Sequence, residues 1–558
     1  MSQQDIYLEL YNIMSKNNYD VDKSLKMLLN SKKSTIEKLN INIDELEKYA
    51  KNIAEIFYNL PEIQEKYENE KIIEYLSKYL NEEDLESIKN ILNSNTEIDT
   101  GLKEIEKTDI GNSIRFANYY AGDILYSIEH DKFYKWDGKR WKQTSITEIE
   151  YLATEMINKR IEELKQYLSM INSLELKKEI EDNIKWYLKS SSGERIKKMV
   201  RLARGNPLIS INFSIFDKNP YHINTPTGIV DLRTLEVIEN KKEMYITRIT
   251  NVGYNKNAKC ENWKSFLKDI FISDSLIDFI QKALGYSITG DTTENVLFLM
   301  YGIGANGKTT FLNTIKYILG DYAKTTSFDT FIVNKNHIRN DIARLHGARF
   351  IIASESEEGQ RIAEALVKQF TGGDFITARF LYHEFFEFKP EGKIWLSTNH
   401  KPDISGVDYG IWRRILLIPF TVVIPPEKQI KNFYQKYLLP EAEGILNWII
   451  EGAHRWIHEG LKPPDEVKVA TEEYKYEMDI LQQFLEDMCE INEEKYVSNK
   501  DLYKSYEEWC KVNGLKPLSH KKFTLMLKDK GFSQLRQGKE RTRLWKGLTL
   551  KENQELEF

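Results

Sequence analysis

The run VLFLMYGIGANGKTT, Val296 to Thr310, constrains this 558-residue chain more than any other stretch. Val296 to Tyr301 is an unbroken apolar run and predicts a buried strand, while FLNTIKYIL after the turn predicts a helix. Between them Gly302, Gly307, Lys308 and Thr309 satisfy G-x-x-x-x-G-K-[ST]. A strand feeding a Gly-rich turn and then a helix gathers backbone N–H groups where phosphate oxygens can sit. The candidate nucleotide contacts are Gly302, Ile303, Gly304, Ala305, Asn306, Gly307, Lys308, Thr309 and Thr310. Lys308 would reach the β- and γ-phosphates, and the Thr309 hydroxyl would ligate Mg²⁺, so ATP and Mg²⁺ are the expected cofactors.

A phosphate loop of this kind needs an acidic residue at the end of a neighbouring strand. ARFIIASESEEG supplies one: Arg349 to Ala353 predicts the strand, and Glu355 stands just beyond it as a candidate metal ligand and water polariser. Glu357 and Glu358 follow closely, and an acidic solvated turn is the plain alternative for them. A further strand, KIWLSTN, ends in Asn399, which can sense the γ-phosphate or position water; Asn is also an ordinary turn residue. GIWRRILLIPF then places Arg413 and Arg414 before a fourth apolar strand. An arginine supplied by a neighbouring subunit can stabilise charge on a transferred phosphoryl group, and either of the two fits that role.

Length predicts about three or four domains. With 41% hydrophobic and 29% charged residues, 13 Pro and 28 Gly, the composition excludes collagen-like and wholly disordered chains. The apolar runs are too short for a membrane span, and MSQQDIYLEL carries no signal-like pattern. Cys260, Cys489 and Cys510 include no C-x-x-C pair, which argues against a disulfide scaffold or zinc ribbon and for a cytoplasmic home. The net charge of −6 hides an asymmetry. Met1 to Thr108 holds 22 acidic and 14 basic residues, a net −8, whereas Lys495 to Lys551 holds 15 basic and 5 acidic, a net +10. A chain so divided points to polyanion binding at its basic end.

These patterns predict a multidomain α/β protein: a helical region over 1–108, a mixed α+β domain over 109–260, an α/β P-loop core over 261–425, a helical region over 426–490 and a DNA-binding tail over 491–551. In the second, WDGKRW predicts a hairpin, Thr154 to Arg204 a long charged helical stretch, and TGIVDLRT follows short strands. The tail from Ile491 predicts three helices and then the ribbon RQGKERTRLWKGL, in the order of a winged helix.

Taken together, YGIGANGKTT, IIASESEEG, LVKQFTGGDFITARFLYHEFFEFKP, WLSTNHKP and GIWRRILLIPF resemble, in this order, the motifs of superfamily 3 helicases. They are most similar to the primase-helicases of satellite phages, plasmids and poxviruses, with an AAA+-like core. NSIRFANYYAGDILYSIEHDKFYKWDGKRW and NTPTGIVDLRT resemble that family's domain before the core, and ATEEYKYEMDILQQFL with DLYKSYEEWCKVNG resembles its carboxy-terminal portion. The first 108 residues depart from the pattern, being too few and too uniformly helical for a polymerising domain. The resemblance implies an ATP-dependent DNA helicase without primer synthesis, replicating a mobile element in a bacterial host or at a viral replication site. It implies a ring, usually a hexamer, with Arg413 or Arg414 reaching the neighbour's nucleotide, single-stranded or forked DNA as partner, and a separate primase or polymerase.

DNA contacts are expected in two places. Phe375 to Lys389 predicts a β-hairpin, which in such rings enters the channel; Arg379, Tyr382, His383 and Lys389 are its candidates, with Lys368 on the preceding helix. In the tail, Lys521 and Lys522 begin a helix, and Arg536, Lys539, Arg541 and Arg543 lie on the ribbon. Two rivals predict different chemistry: an ATP-controlled DNA-binding or assembly switch, and a packaging or defence NTPase that unwinds nothing.

Overall fold

The computed structural model describes residues 105–171, 173–271, 273–333, 340–354, 359–381, 384–404, 409–537 and 542–551, with Leu10, Met27, Leu28 and Asp44 as isolated positions. The helical region expected over 1–108 therefore lies almost wholly outside the described residues. The chain divides into Met1–Arg115 and Phe116–Phe558, and the multidomain α/β architecture belongs to the second unit.

That unit begins with a four-stranded sheet in the order β3-β2-β1-β4, made of β1 (Ile124–Ser127), β2 (Lys132–Trp136), β3 (Trp141–Thr144) and β4 (Ser210–Ile211). The expected WDGKRW hairpin joins β2 to β3: Trp136 pairs with Trp141, and Asp137 Oδ1 accepts from the Lys139 and Arg140 N–H groups, each at 2.9 Å. The expected long helical stretch is instead three helices, α1 (Ile146–Met170), α2 (Leu174–Ser190) and α3 (Gly193–Ala203). Serines explain the breaks. Ser145 and Ser173 cap α1 and α2, accepting from the Glu148 and Leu176 N–H groups, and Ser192 precedes α3. A second small sheet follows, with β5 (His222–Thr225), β6 (Gly228–Asp231) and β7 (Val237–Ile238) in sequence.

The core is a five-stranded sheet in the order β14-β8-β13-β10-β9, parallel throughout. Its strands are β8 (Leu297–Tyr301), β9 (Ala323–Ser327), β10 (Phe350–Ser354), β13 (Lys393–Thr398) and β14 (Ile415–Pro419). Phe298, Met300, Ile352 and Trp395 face one hydrophobic cluster, while Leu297, Leu299, Ile351 and Leu396 face another. Both faces are thus covered, which is why β8 and β14 read as unbroken apolar runs rather than alternating ones. The first face is covered by α4 (Glu261–Ile270), α5 (Asp274–Ile288), α6 (Lys308–Leu319) and α10 (Ala442–Glu459). On the second face lie α7 (Asn340–Arg344), α8 (Glu364–Thr371), α9 (Tyr409–Trp412), α11 (Asp465–Met478) and the hairpin of β11 (Ile376–Ala378) and β12 (Phe386–Phe388).

After α12 (Ile480–Met488) the tail departs from its expected order. Residues Cys489–Ser498 form a strand, β15, and only two helices follow, α13 (Asn499–Val512) and α14 (His520–Asp529), before β16 (Ser533–Gln537) and β17 (Thr542–Leu550). β17 is the central strand, pairing antiparallel with both neighbours. Its buried Trp545 and Leu548 anchor the sheet, whereas β15 is buried only at Cys489 and Val497 and has too little apolar pattern to announce itself. Among the described residues no helix is long and apolar enough to cross a membrane.

Candidate functional site

Strand β8 brings the chain to the carboxy edge of the core sheet, and residues 302–307 fold over that edge into α6. Backbone geometry fixes which residues can stand there. A Cβ on Gly302 would overlap the Phe420 carbonyl, and Gly307 has φ 83° with Ile270 Cγ2 only 2.7 Å from where a Cβ would stand. Gly304 (φ 40°) and Ala305 (φ 49°) are left-handed as well. Left-handed residues in such a turn gather N–H groups into a concavity suited to an anion. The loop is tied to the end of β14: Phe420 N–H donates to the Tyr301 carbonyl and Ile424 N–H to the Ala305 carbonyl, both at 2.8 Å. Asn306, almost fully buried, reaches the Phe420 carbonyl at 3.5 Å. Ile303, Gly304, Ala305 and Thr309 remain exposed around the mouth of the turn, with Thr310 half-buried.

Lys308 opens α6 and is only 6% exposed. Its Nζ donates to the Gly302 carbonyl at 2.5 Å and to Asn399 Oδ1 at 3.2 Å. Burial holds this ammonium below the ordinary lysine value. Asn399 reaches it because β13 lies directly beside β8, with Thr398 opposite Tyr301. On the other side of β13, Ser397 pairs with Ser354, the last residue of β10. Glu355, Glu357 and Glu358 lie outside the described residues. Lys308, Asn399 and the glycine turn are thus brought together, and the end of β10 stands one strand further along.

The two arginines separate. Arg414 is buried; its Nε donates to Thr371 Oγ1 at 3.2 Å and its Nη1 to the Gly410 carbonyl at 2.6 Å. A guanidinium held inside its own chain is not available to a neighbouring subunit, so Arg414 is corrected to an internal brace. Arg413 is exposed.

The expected hairpin is present, with Ile376 opposite Phe388 and Ala378 opposite Phe386. Tyr382 and His383 lie outside the described residues. Arg379 stacks over the Phe385 ring at 4.8 Å, Phe385 itself is 61% exposed, and Lys389 is exposed at the hairpin's foot. Lys368 is half-buried on α8. In the tail, Lys521 is exposed while Lys522 is half-buried and feels the charges of Arg361 and Glu364. Arg536 and Arg543 stand opposite each other across β16 and β17, both exposed; Lys539 and Arg541 lie outside the described residues. Like charges directly opposite on adjacent strands cost stability unless an anion offsets them.

Buried charge elsewhere serves the scaffold. Arg349 donates to the carbonyls of His222 (2.7 Å), Ile288 (3.0 Å) and Asn219 (3.2 Å), and Lys393 to that of Thr289 (2.6 Å). Nothing in the local sequence marks a further group of cations, on β2, β3, β9 and α7, because they are scattered along more than two hundred residues of chain.

Three family models match the chain: "D5 N terminal like" over residues 113–272, a family of unknown function (DUF5906) over 300–414, and "Poxvirus D5 protein-like" over 476–546. Among curated proteins, the chain is 29% identical over 322 residues to "Putative helicase L207/L206" of Acanthamoeba polyphaga mimivirus, covering 53% of this chain and 34% of that one. It is 26% identical over 269 residues to "Putative helicase 022R" of Frog virus 3, covering 45% and 28%. It is 22% identical over 325 residues to "Putative primase C962R" of African swine fever virus, covering 53% and 34%. The chain thus spans about a third of the length of these relatives. The solved apo structure of the NrS-1 C terminal region (305–718) superposes with a TM-score of 0.43 at 11% identity, over 78% of this chain and 100% of that one. With D5-type models matching both before and after the glycine turn, and viral proteins named putative helicases and primases among its relatives, the chain is similar to the D5-like primase-helicase family.

Proposed function

We propose that the chain is an ATP-driven DNA helicase serving replication of a virus, phage, plasmid or other mobile element, and that it works as a ring, six subunits in the arrangement its family resemblance implies. One observation carries the reading. The Lys308 ammonium is buried in a glycine turn at the carboxy edge of a parallel sheet and held by Asn399 from the adjacent strand. On this reading 261–425 is a superfamily 3, AAA+-like P-loop core, and 491–551 is a winged helix with β16 and β17 as its wing.

Binding ATP exchanges the two protein acceptors of Lys308 for oxygens of the β- and γ-phosphates. Asn399, released from the ammonium, is then free to orient the water that attacks the γ-phosphorus as the bond to the β-phosphate oxygen breaks. Thr309, exposed at the start of α6, and Glu355 would hold Mg²⁺, which when bound neutralises charge on those oxygens. Arg413, the exposed member of its pair, supplies positive charge across the subunit interface. Arg379 and Lys389 on the hairpin, together with Tyr382, His383 and Lys368, contact the strand being moved. Arg536, Arg541 and Arg543, with Lys521 and Lys522, add salt-dependent contacts to phosphates, and the facing Arg536 and Arg543 support that assignment. A separate primase or polymerase would supply synthesis.

A forked duplex with one labelled strand tests this. The wild-type chain with ATP and Mg²⁺ displaces the strand, and Lys308→Ala binds the fork without displacing it. Hydrolysis by the wild type with no displacement on any fork would overturn the helicase reading in favour of an ATP-controlled binding switch.

A further inference from the structure

Between the first sheet and the edge strand β9 of the core sheet lies a cleft of about 640 Å³ that shares no residue with the glycine turn, Asn399 or Arg413. Six cations line it, Lys132, Arg140, Lys142, Arg248, Lys324 and Arg344, against two carboxylates, Asp321 and Asp341. Two of the six are neutralised inside the protein: Arg140 by Asp137 and Asp321, and Arg248 by Asp217 at 3.0 Å. Lys132, Lys142, Lys324 and Arg344 are exposed and make no ion pair among the described residues. Lys324 opens into the cleft, yet its walls desolvate the ammonium, and Arg248 and Arg344 add like charge; all three effects hold it below the ordinary lysine value. Such crowding costs free energy in the empty cleft and is relieved by an anion.

We infer that this cleft binds single-stranded DNA, its phosphates held between Lys132 and Lys142 on one wall and Lys324 and Arg344 on the other. Three features select a strand over a compact phosphate or a duplex. The free cations come from four separate elements, β2, β3, β9 and α7, rather than converging on one loop, and among the described residues no glycine lines the cleft. Half-buried Phe213 and Phe380 lie among them and offer rings on which bases can stack. A duplex keeps its bases paired inward and cannot present them to those rings. The cleft also abuts the hairpin: Leu381 lines it, and its N–H donates to Asn340 Oδ1 at 3.3 Å. A strand held there would pass beside the element proposed to move it.

The inference rests on the DNA-acting reading above, and one set of measurements separates the two. Fluorescein-labelled (dT)30 is titrated with the full chain, wild type and the pairs Lys132→Gln/Lys142→Gln and Lys324→Gln/Arg344→Gln, at several salt concentrations. Removing two single-strand phosphate contacts should flatten the log K against log salt slope by about 1.4 and weaken binding at 0.1 M salt about tenfold, with ATP affinity unchanged. A photoreactive side chain at Gln143, which lines the cleft, should crosslink (dT)30, and Arg536→Gln/Arg543→Gln should leave that crosslink in place. Wild-type affinity and slope in both cleft pairs would sink the inference while leaving the function standing. No binding of (dT)30 by the wild type would sink both. In a Lys308→Ala background, loss of the Gln143 crosslink on adding inorganic triphosphate at moderate ionic strength would identify a compact anion as the occupant and overturn the strand.

Discussion

Two hydrogen bonds hold the Lys308 ammonium in place, and both acceptors must yield when phosphate oxygens arrive. On the proposed reading Asn399 has two duties, parking the lysine and then orienting water. Asn399→Ala should lower ATP turnover about a hundredfold while changing nucleotide affinity far less, as removal of a transition-state donor does. Steady-state turnover together with equilibrium nucleotide titration checks this, and unchanged turnover would make Asn399 an ordinary turn residue. Both residues were legible in the sequence, Lys308 because it opens the helix after a glycine turn fed by an apolar strand, and Asn399 because it follows directly on another apolar strand. Arg413 and Arg414 were not separable there, since adjacent residues before a strand start on opposite sides and only packing says which is inside. Arg414→Ala leaves Thr371 Oγ1 and the Gly410 carbonyl without this donor in a buried place, a loss of about 2 kcal/mol. Arg413→Ala should leave stability within about 0.5 kcal/mol of wild type. Urea midpoints of the two variants read the difference directly.

Elements that bury a continuous face were legible, and elements that depend on a distant partner were not. Four of the five parallel strands announced themselves because both faces are covered, whereas the edge strand β9, exposed along most of its length, did not, and β15 exists only because β17 pairs with it. The packing of α5 on α10 is equally invisible in sequence, although the two helices approach backbone to backbone. A Cβ on Gly285 would overlap the Ala453 N–H, and one on Gly452 would overlap the Gln281 carbonyl. Gly285→Val should thus cost about 3 kcal/mol or more through forced separation of the pair, seen as a lower urea midpoint. The loop between α7 and β10 gives a pH-dependent case. His346 packs against Phe388 at 4.9 Å, Phe213 at 5.2 Å and His130 at 5.4 Å. Burial, helped by Arg248 and His130, pushes its pKa down from 6.5 to about 3. The unfolded chain then binds a proton that the folded chain refuses. The stability due to neutral His346 is complete above pH 6.5 and is lost as pH falls toward 3, by up to about 1.4 kcal/mol per pH unit. His346→Phe should flatten the fall in melting temperature between pH 7 and pH 5 relative to wild type. An unchanged slope would mean that this imidazole is protonated in the fold.

At the scale of the whole molecule, the proposed site, built from one chain's Lys308 and a neighbour's Arg413, makes an assembly prediction that no single subunit can mimic. Exposure of Arg413 and burial of Arg414 leave one arginine free to cross an interface. If Arg413 acts in trans, Arg413→Ala and Lys308→Ala are each inactive in pure rings, yet they damage opposite sides of the interface. Mixed rings contain some interfaces in which an intact Lys308, on an Arg413→Ala subunit, faces an intact Arg413 on a Lys308→Ala subunit. With random mixing at equal amounts about one interface in four is whole, so hydrolysis should recover to roughly a quarter of wild type, less if whole sites must fire in succession. The recovery should grow with the time allowed for subunit exchange and vanish when the two variants are kept apart. An arginine acting within its own chain predicts no recovery at any mixing ratio, because every subunit then carries its own defect. The same mixture measured on a fork separates hydrolysis from motion: a translocating ring needs neighbouring sites to work in turn, so strand displacement should recover less than hydrolysis does.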